Sequence, residues 1–346
     1  MKKYLICFLA VAVLAAGCLD DEILFDATED IESVVNVAQD GTQGRVVFDF
    51  GDTEDSEDNI AGTTFDRNIT IVYGGSKATV TGDDAGIVSV SGNHVTVNNT
   101  TSEKIVYDLS GTASDGSFKL YSSKKQAIRI SGLDLTNPGG AAINNQSKKR
   151  TFVIVEGGSK LADGSSYTST PSDEDEKAAF FSEGQLIFCG TGSLSVVARG
   201  KAGITSDDYV RFMSSPTVKV SSSAGHAVRG KDAVIVSGGE LGVSTSADMK
   251  KGFSSDSLVR IEGGSTTIKV TGSAAYDSED SDYTGSAGIK ADKLFEILGG
   301  TLAVSNSGTG GKGISGDGPG YFKGGSVTVV TTGSNYGSSS GGGSGP

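Results

Sequence analysis

Tryptophan is absent from this 346-residue chain, and histidine occurs only twice, at His94 and His226. Of three cysteines, Cys7 and Cys18 lie at the extreme N-terminus and Cys189 stands alone, so no disulfide framework is available. A catalytic thiol needs a positioned histidine, and neither histidine is near Cys189 in sequence, which makes Cys189 core filler. Beyond the N-terminal segment no run reaches the ~18 apolar residues of a membrane-crossing helix. Basic residues are in deficit: 29 Lys and Arg against 42 Asp and Glu give a net charge of −13. Such a chain repels nucleic acid and anionic membranes, which excludes nucleic acid as a partner. Helix formers are sparse. What is abundant is glycine, 51 residues, with Ser, Thr, Val and Ile, an all-β composition with many corners.

The glycines follow a period. Apolar anchors stand at Phe180, Ile204, Val228, Phe253, Ile289 and Ile314, spaced 24, 24, 25, 36 and 25 residues apart. Eight residues after each comes Phe188, Phe212, Val236, Ile261, Ile297 or Phe322, then a turn that is Gly-Gly in the clearest copies, then apolar pairs two apart such as Leu241 and Val243. Spacing by two points both side chains to one face of a strand. About 24 residues make one circuit of three short strands at ~3.3 Å per residue, and circuits stack at ~4.8 Å with like residues in columns. The predicted fold is an all-β, right-handed, single-stranded parallel β-helix of about eleven circuits. A propeller blade needs about 40–45 residues, nearly twice this period.

The chain divides into residues 1–17, 18–59, 60–335 and 336–346. Met1-Lys2-Lys3 and the apolar run to Ala16 form a signal peptide. Leu14-Ala15-Ala16-Gly17-Cys18 resembles the bacterial lipobox, which implies lipidation at Cys18 and anchoring in the outer membrane, facing the periplasm or the outside. Leu19-Asp20-Asp21-Glu22 is similar to an acidic surface-export signal. Residues 18–59 are an acidic leader, with Asp49 to Asp58 read as a solvated charge run and Ile31, Val34, Val35 and Val37 as a cap over the first circuit. Residues 60–335 are the solenoid, and 336–346 are a Gly/Ser-rich tail. Two acidic excursions, 163–177 and 274–286, interrupt the circuits, each with carboxylates enough for a hard cation.

Taken in order, Ala85-Gly86-Ile87-Val88-Ser89-Val90-Ser91-Gly92-Asn93, Leu133-Asp134-Leu135-Thr136-Asn137, Leu161-Ala162-Asp163-Gly164-Ser165-Ser166-Tyr167, residues 178–194 and Gly225-His226-Ala227-Val228-Arg229-Gly230-Lys231-Asp232 resemble the calcium-associated, carbohydrate-binding parallel β-helix lipoproteins that bind polygalacturonate. The resemblance covers about residues 60–335. It implies a non-catalytic, monomeric glycan-binding protein with bound Ca²⁺. Members often carry Asp before the Gly-Ile anchor, whereas this chain reads Lys201-Ala202-Gly203, Ala224-Gly225-His226 and Lys250-Lys251-Gly252, with only Asp248 nearby.

Asp207, Asp256 and Asp292 fall three residues past their anchors, and Asp208 and Asp232 four past theirs. Stacking places these carboxylates along one edge as candidate Ca²⁺ ligands, although Asp is also a common turn residue. Lys201, Arg229, Lys231 and Arg260 interleave with them as candidate contacts to an acidic polysaccharide, with Tyr283 as an exposed ring for stacking. The absence of Trp counts against a neutral-glycan platform. Two alternatives stand beside glycan binding. A pectate-lyase-like enzyme would use Ca²⁺ with Lys201, or Lys231 beside Asp232, as base, but no dense catalytic cluster is evident. A surface adhesin or scaffold would have no glycan ligand.

Overall fold

The computed structural model describes residues 56–168, 171, 172, 174–279 and 281–335, with the backbone of a strand at Ser33–Asn36. The signal segment, Cys18, Ile31, Val37 and the 336–346 tail lie outside the described residues. Among the described residues no helix is long and apolar enough to cross a membrane.

Three short strands per circuit stack in parallel on the strands of the circuits before and after, in a solenoid of the β-helix type. The first face is built by Arg67–Tyr73, Ile105–Ala113, the start of Gln126–Asn137, Thr151–Glu156, Leu186–Gly190, Tyr209–Phe212, Ala233–Val236, Leu258–Ile261, Leu294–Ile297 and Gly320–Phe322. That makes ten described circuits rather than eleven, because Ile60 belongs to a short 3₁₀ turn before the first strand. The second face runs from the ends of Ile105–Ala113 and Gln126–Asn137 through Gly158–Asp163, Ser193–Ala198, Thr217–Ser222, Glu240–Thr245, Ser265–Val270 and Thr301–Asn306 to Ser326–Thr331. The two faces share one 19-stranded sheet, and the anchor strands form a separate 10-stranded third face.

Register follows the period. Val95, Phe118, Ile143, Phe180, Ile204, Val228, Phe253, Ile289 and Ile314 are successive partners in one column. Phe188, Phe212, Val236, Ile261, Ile297 and Phe322 form a second. Both columns point inward, and Phe188 stacks on Phe212 at 5.0 Å. The anchor motif carries Gly for a steric reason. A Cβ at Gly203, Gly252, Gly288 or Gly313 would sit 2.2–2.3 Å from Val220, Ile268, Val304 or Val329 on the opposing second face. The Gly-Gly turns divide the work. Gly264 takes φ 76°, which L-residues rarely adopt, while a Cβ on Gly263 would lie 2.9 Å from the Ser237 carbonyl of the circuit below.

The first circuit is closed by its own neighbours. Thr79–Thr81 folds back antiparallel on Arg67–Tyr73, and Val88–Ser91 on Asn93–Asn99, so the sheet edges are covered. The expected cap is at the other end: Ser33–Asn36, which includes Val34 and Val35, pairs antiparallel with residues 326–329 of the last circuit.

Candidate functional site

The predicted column of carboxylates exists, but Asp207, Asp208, Asp256 and Asp292 are partnered, and Asp232 follows Asp208 one circuit on with its amide donating to the Asp208 carbonyl. The turns after the third-face strands stack through backbone bonds: Asp207 N donates to Ser182 O, Lys231 N to Ser206 O, Asp256 N to Lys231 O and Asp292 N to Ser255 O. Lys231, exposed, therefore sits between Asp207 and Asp256, which stand two circuits or ~10 Å apart, too far to share one ion. Arg229 donates to Asp256 at 2.8 Å, and Lys290 lies 3.5 Å from Asp292. Asp208 accepts from Gln185 at 2.5 Å. Burial, and next the charge of Asp232 one circuit on, push the Asp208 carboxyl up to about 6. The five predicted ligands do not converge. Asp207 instead joins Asp175 and Glu183, and among the described residues these three oxygens lie within 4.8 Å of one another. The Lys177 ammonium already bridges two of them, 2.8 Å from Asp175 and 2.6 Å from Asp207. Burial and the two aspartates raise the Glu183 pKa. By donor chemistry and spacing the trio fits a hard cation that would compete with Lys177. Sequence reading marked the 163–177 excursion as able to hold a hard cation but did not join its Asp175 to Asp207, and it missed Glu183, which replaces Asp at the first turn of the column.

The basic candidates separate. Lys201 donates to the Glu176 carbonyl at 2.5 Å and lies 4.5 Å above the Tyr167 ring, in the turn between second and third faces. Arg260 is a correction. It is 1% exposed on the outside of the first face, with Nε 2.7 Å and Nη2 2.5 Å from the buried Glu296, so it is not presented to a ligand. Glu296 follows 36 residues later because the acidic insertion lengthens that circuit, and the 24-residue spacing hides the pair.

The acidic segments are not simply solvated. Asp58, 3% exposed, accepts from Arg150 Nε at 2.8 Å, Arg211 Nη1 at 3.1 Å and the Tyr209 hydroxyl at 2.6 Å. Phe65 meets Phe152 edge to face at 6.3 Å, so residues 56–65 are latched onto the first face. In the first excursion, Glu174 accepts from Lys119 at 2.7 Å and from the Tyr121 hydroxyl, and Glu176 from the Ala141 amide at 2.6 Å. The second excursion is a hairpin, Ala275–Asp277 antiparallel to Asp282–Thr284.

The feature that the motifs did not disclose is the outside of the second face. Its inward residues alternate with three outward columns in register. One runs Ser193, Thr217, Glu240, Ser265, Thr301, Ser326; the next Lys160, Ser195, Lys219, Gly242, Thr267, Ala303, Thr328; the third Val197, Ser221, Ser244, Lys269, Ser305, Val330. Two concavities of about 420 and 240 Å³ share Ser221 and Ser244 and merge into one groove, with Arg199, Lys219 and Lys269 supplying positive charge. Ser221 and Ser244 are neighbours ~4.8 Å apart across strands, and Ser193 with Ser195 and Ser265 with Thr267 lie ~6.6 Å apart along theirs, a partial lattice of hydroxyls interrupted by Lys219, Glu240, Gly242 and Lys269. That lattice can exchange hydrogen bonds with successive rings of a polymer. The signal was the alternation itself, small or polar residues at every second position of Thr217–Ser222, Glu240–Thr245 and Ser265–Val270, but alternation alone does not distinguish a site from an ordinary wet face.

Comparison with known proteins agrees with this geometry. A family model described as carbohydrate-binding domain-containing protein matches residues 91–256. The matched part runs from the strand Asn93–Asn99 to the anchor strand Lys251–Ser255 and holds most of the groove. Among solved structures, a polysaccharide lyase-like protein from C. thermocellum, in a gadolinium derivative, superposes with a TM-score of 0.60 at 21% identity, over 74% of this chain and 96% of its own. At that identity the likeness establishes a shared fold. No curated protein matches the chain.

Proposed function

We propose that this protein is a non-catalytic polysaccharide-binding solenoid, wound right-handed, that holds its polymer along the groove of the second face. The observation that carries the reading is the groove with in-register Ser221 and Ser244 at its centre and Ser195 and Thr267 beside them, set between Lys219, Lys269 and Arg199 on an otherwise acidic chain. The carbohydrate-binding family match supports it. Those cations favour an acidic, polygalacturonate-like polymer. Ca²⁺ held by Asp175, Glu183 and Asp207 would add positive charge beside the third face. Cys18 carries lipid and tethers the solenoid to the outer membrane, a proposal checked by fatty-acid labelling of the parent and a Cys18→Ser variant.

The test is calorimetric titration of galacturonate and neutral β-glucan oligomers into the protein, with Ca²⁺ and then with chelator, while absorbance follows unsaturated products. Heat that is lost in a Ser221→Tyr/Ser244→Tyr variant, with flat absorbance, is the expected result. Rising absorbance would make the protein a lyase. Unchanged binding by the variant would move the polymer off the groove, and no heat with any glycan would leave the adhesin reading.

A further inference from the structure

The outside of the first face is buried along most of its length. One outward column runs in register from Val106 through Phe152, Arg211, Ile235 and Arg260 to Glu296, and each of these residues is at most 8% exposed. Its apolar members belong to a cluster separate from the inward core. The second face differs: the outward residues of Ser265–Val270 are all exposed. A side chain that points out of a one-layer wall is buried only where something lies over it.

Residues 56–65 supply part of that cover, held over the circuits from Phe152 to Arg211 by Phe65 and Asp58. The next three circuits carry Ile235, then Leu258 with Arg260, then Leu294 with Glu296 on the same side, all buried. Arg260 Nη1 is there a buried donor with no hydrogen-bond partner among the described residues, a group that a passing backbone carbonyl would satisfy. These side chains are buried within a single chain, so the cover belongs to the same chain.

Position and sequence choose the segment. The strand Ser33–Asn36 is paired with the last circuit, and Asp58 is fixed at Arg150 and Arg211. Residues 37–55 join these two points. Four circuits separate the last circuit from that of Arg211, ~19 Å along the solenoid, and a segment of this length can extend ~60 Å. The second face adjoins the first at Gly324-Gly325, so the direct way between the two points crosses the outside of the first face. Within the connection Val46, Phe48 and Phe50 alternate with Arg45, Val47 and Asp49, which gives an extended segment one apolar side. Its acidic end, Asp49, Asp52, Glu54 and Asp55, complements the cations of this face, Arg150, Arg211, Arg260 and Lys323. The 336–346 tail is Gly and Ser between Tyr336 and Pro346 and has no aliphatic side chain to offer.

We infer that the outside of the first face, from Ala233–Val236 to Leu294–Ile297, is the docking surface of the chain's own segment 45–50, with Val46, Phe48 and Phe50 laid over Ile235, Leu258 and Leu294. The leader is then a strap within the folded body. It closes the first face to a polymer and leaves the groove of the second face open. The inference does not depend on glycan binding.

The experiment is photo-crosslinking of the full chain carrying Phe48→p-benzoylphenylalanine, with the products mapped by peptide mass spectrometry. Crosslinks within one chain to peptides holding residues 233–236, 258–261 or 294–297 are the expected result. Crosslinks confined to the leader or the second face overturn the inference, and crosslinks that join two chains overturn it in favour of a second copy as occupant. Alkylation of Ile235→Cys gives an independent reading. That thiol should react at least about tenfold faster in a Phe48→Asp/Phe50→Asp background than in the parent, as loss of a buried phenyl contact implies, while Ser221→Cys in the groove reacts alike in both. Equal rates at position 235 in the two backgrounds, whether fast or slow, overturn the strap.

Discussion

Replacing Asp58 with asparagine isolates the latch that holds residues 56–65 on the first face. The carboxylate is 3% exposed and faces Arg150 and Arg211, each 8% exposed, with the Tyr209 hydroxyl as a third donor. Removing one partner of a buried ion pair costs about 3–5 kcal/mol when the remaining charge is stranded. Here neither arginine is stranded, because Arg150 keeps Glu57 at 2.5 Å and Arg211 keeps Glu262 at 3.1 Å. The expected loss is therefore smaller, about 2–3 kcal/mol, and local, since the latch lies outside the inward columns. In hydrogen exchange that is about a 30- to 160-fold faster opening of a peptide covering Ser56–Gly62, with peptides from the anchor strands unchanged. A triple variant, Asp58→Leu with Arg150→Met and Arg211→Met, should recover most of the protection, because an apolar substitute removes the desolvation cost along with the pair. Unchanged exchange at residues 56–62 in the asparagine variant would refute the argument, as would acceleration spread evenly over the solenoid.

Three further outcomes are expected. Gly252→Ala places a Cβ 2.3 Å from Ile268 Cγ2 and should lower stability by about 1–3 kcal/mol in urea titration, whereas Gly242→Ala on the groove, with 3.7 Å to Lys219, should be neutral or slightly stabilising. The Asp208 carboxyl is raised from 3.8 to about 6, so its contribution to folding is fully present below pH 3.8 and is lost as pH rises through about 6. Asp208→Asn should therefore be more stable than the parent at pH 8 by about 1–2 kcal/mol, less than the full shift implies because solvent screens this partly exposed carboxyl, with the gap closing toward pH 4; urea midpoints across that range test it, and a gap that is constant with pH would contradict it. Burial, and then Glu156, push the Cys189 thiol from 9.0 up to about 11, so its alkylation at pH 8 should run about a hundredfold slower than that of an ordinary free thiol, timed by mass spectrometry.

The inward columns were readable before any coordinates because each circuit must repeat the same contacts. An anchor at Phe180, Ile204, Val228 or Phe253 meets its own kind one circuit away, and stacking enforces the period. Asp207, Asp256 and Asp292 were placed on one edge correctly for the same reason. What spacing cannot carry is the partner of an outward side chain. Arg229 and Arg260, one and seven residues past their anchors, are both basic residues among the acidic turns, yet Arg260 is buried against Glu296 while Arg229 is half-buried and pairs with Asp256 at the solvent edge. The charge run ending at Asp58 looks solvated until the fold brings it to Arg150 and Arg211, about ninety and one hundred and fifty residues away.

The amino-acid order by itself determined the all-β class, the length of a circuit, the inward columns, the small residue, Gly or Ala, before each anchor and the break made by the acidic insertion. These are set by local periodicity, which any stacked circuit must obey. Only the tertiary structure decided which outward columns face one another as a groove, that the insertion folds as a hairpin over Lys251, Lys290 and Lys312, and which charges are buried in pairs. Those depend on neighbours brought together across many circuits, where burial and electrostatics act through space and leave no mark in the local spacing.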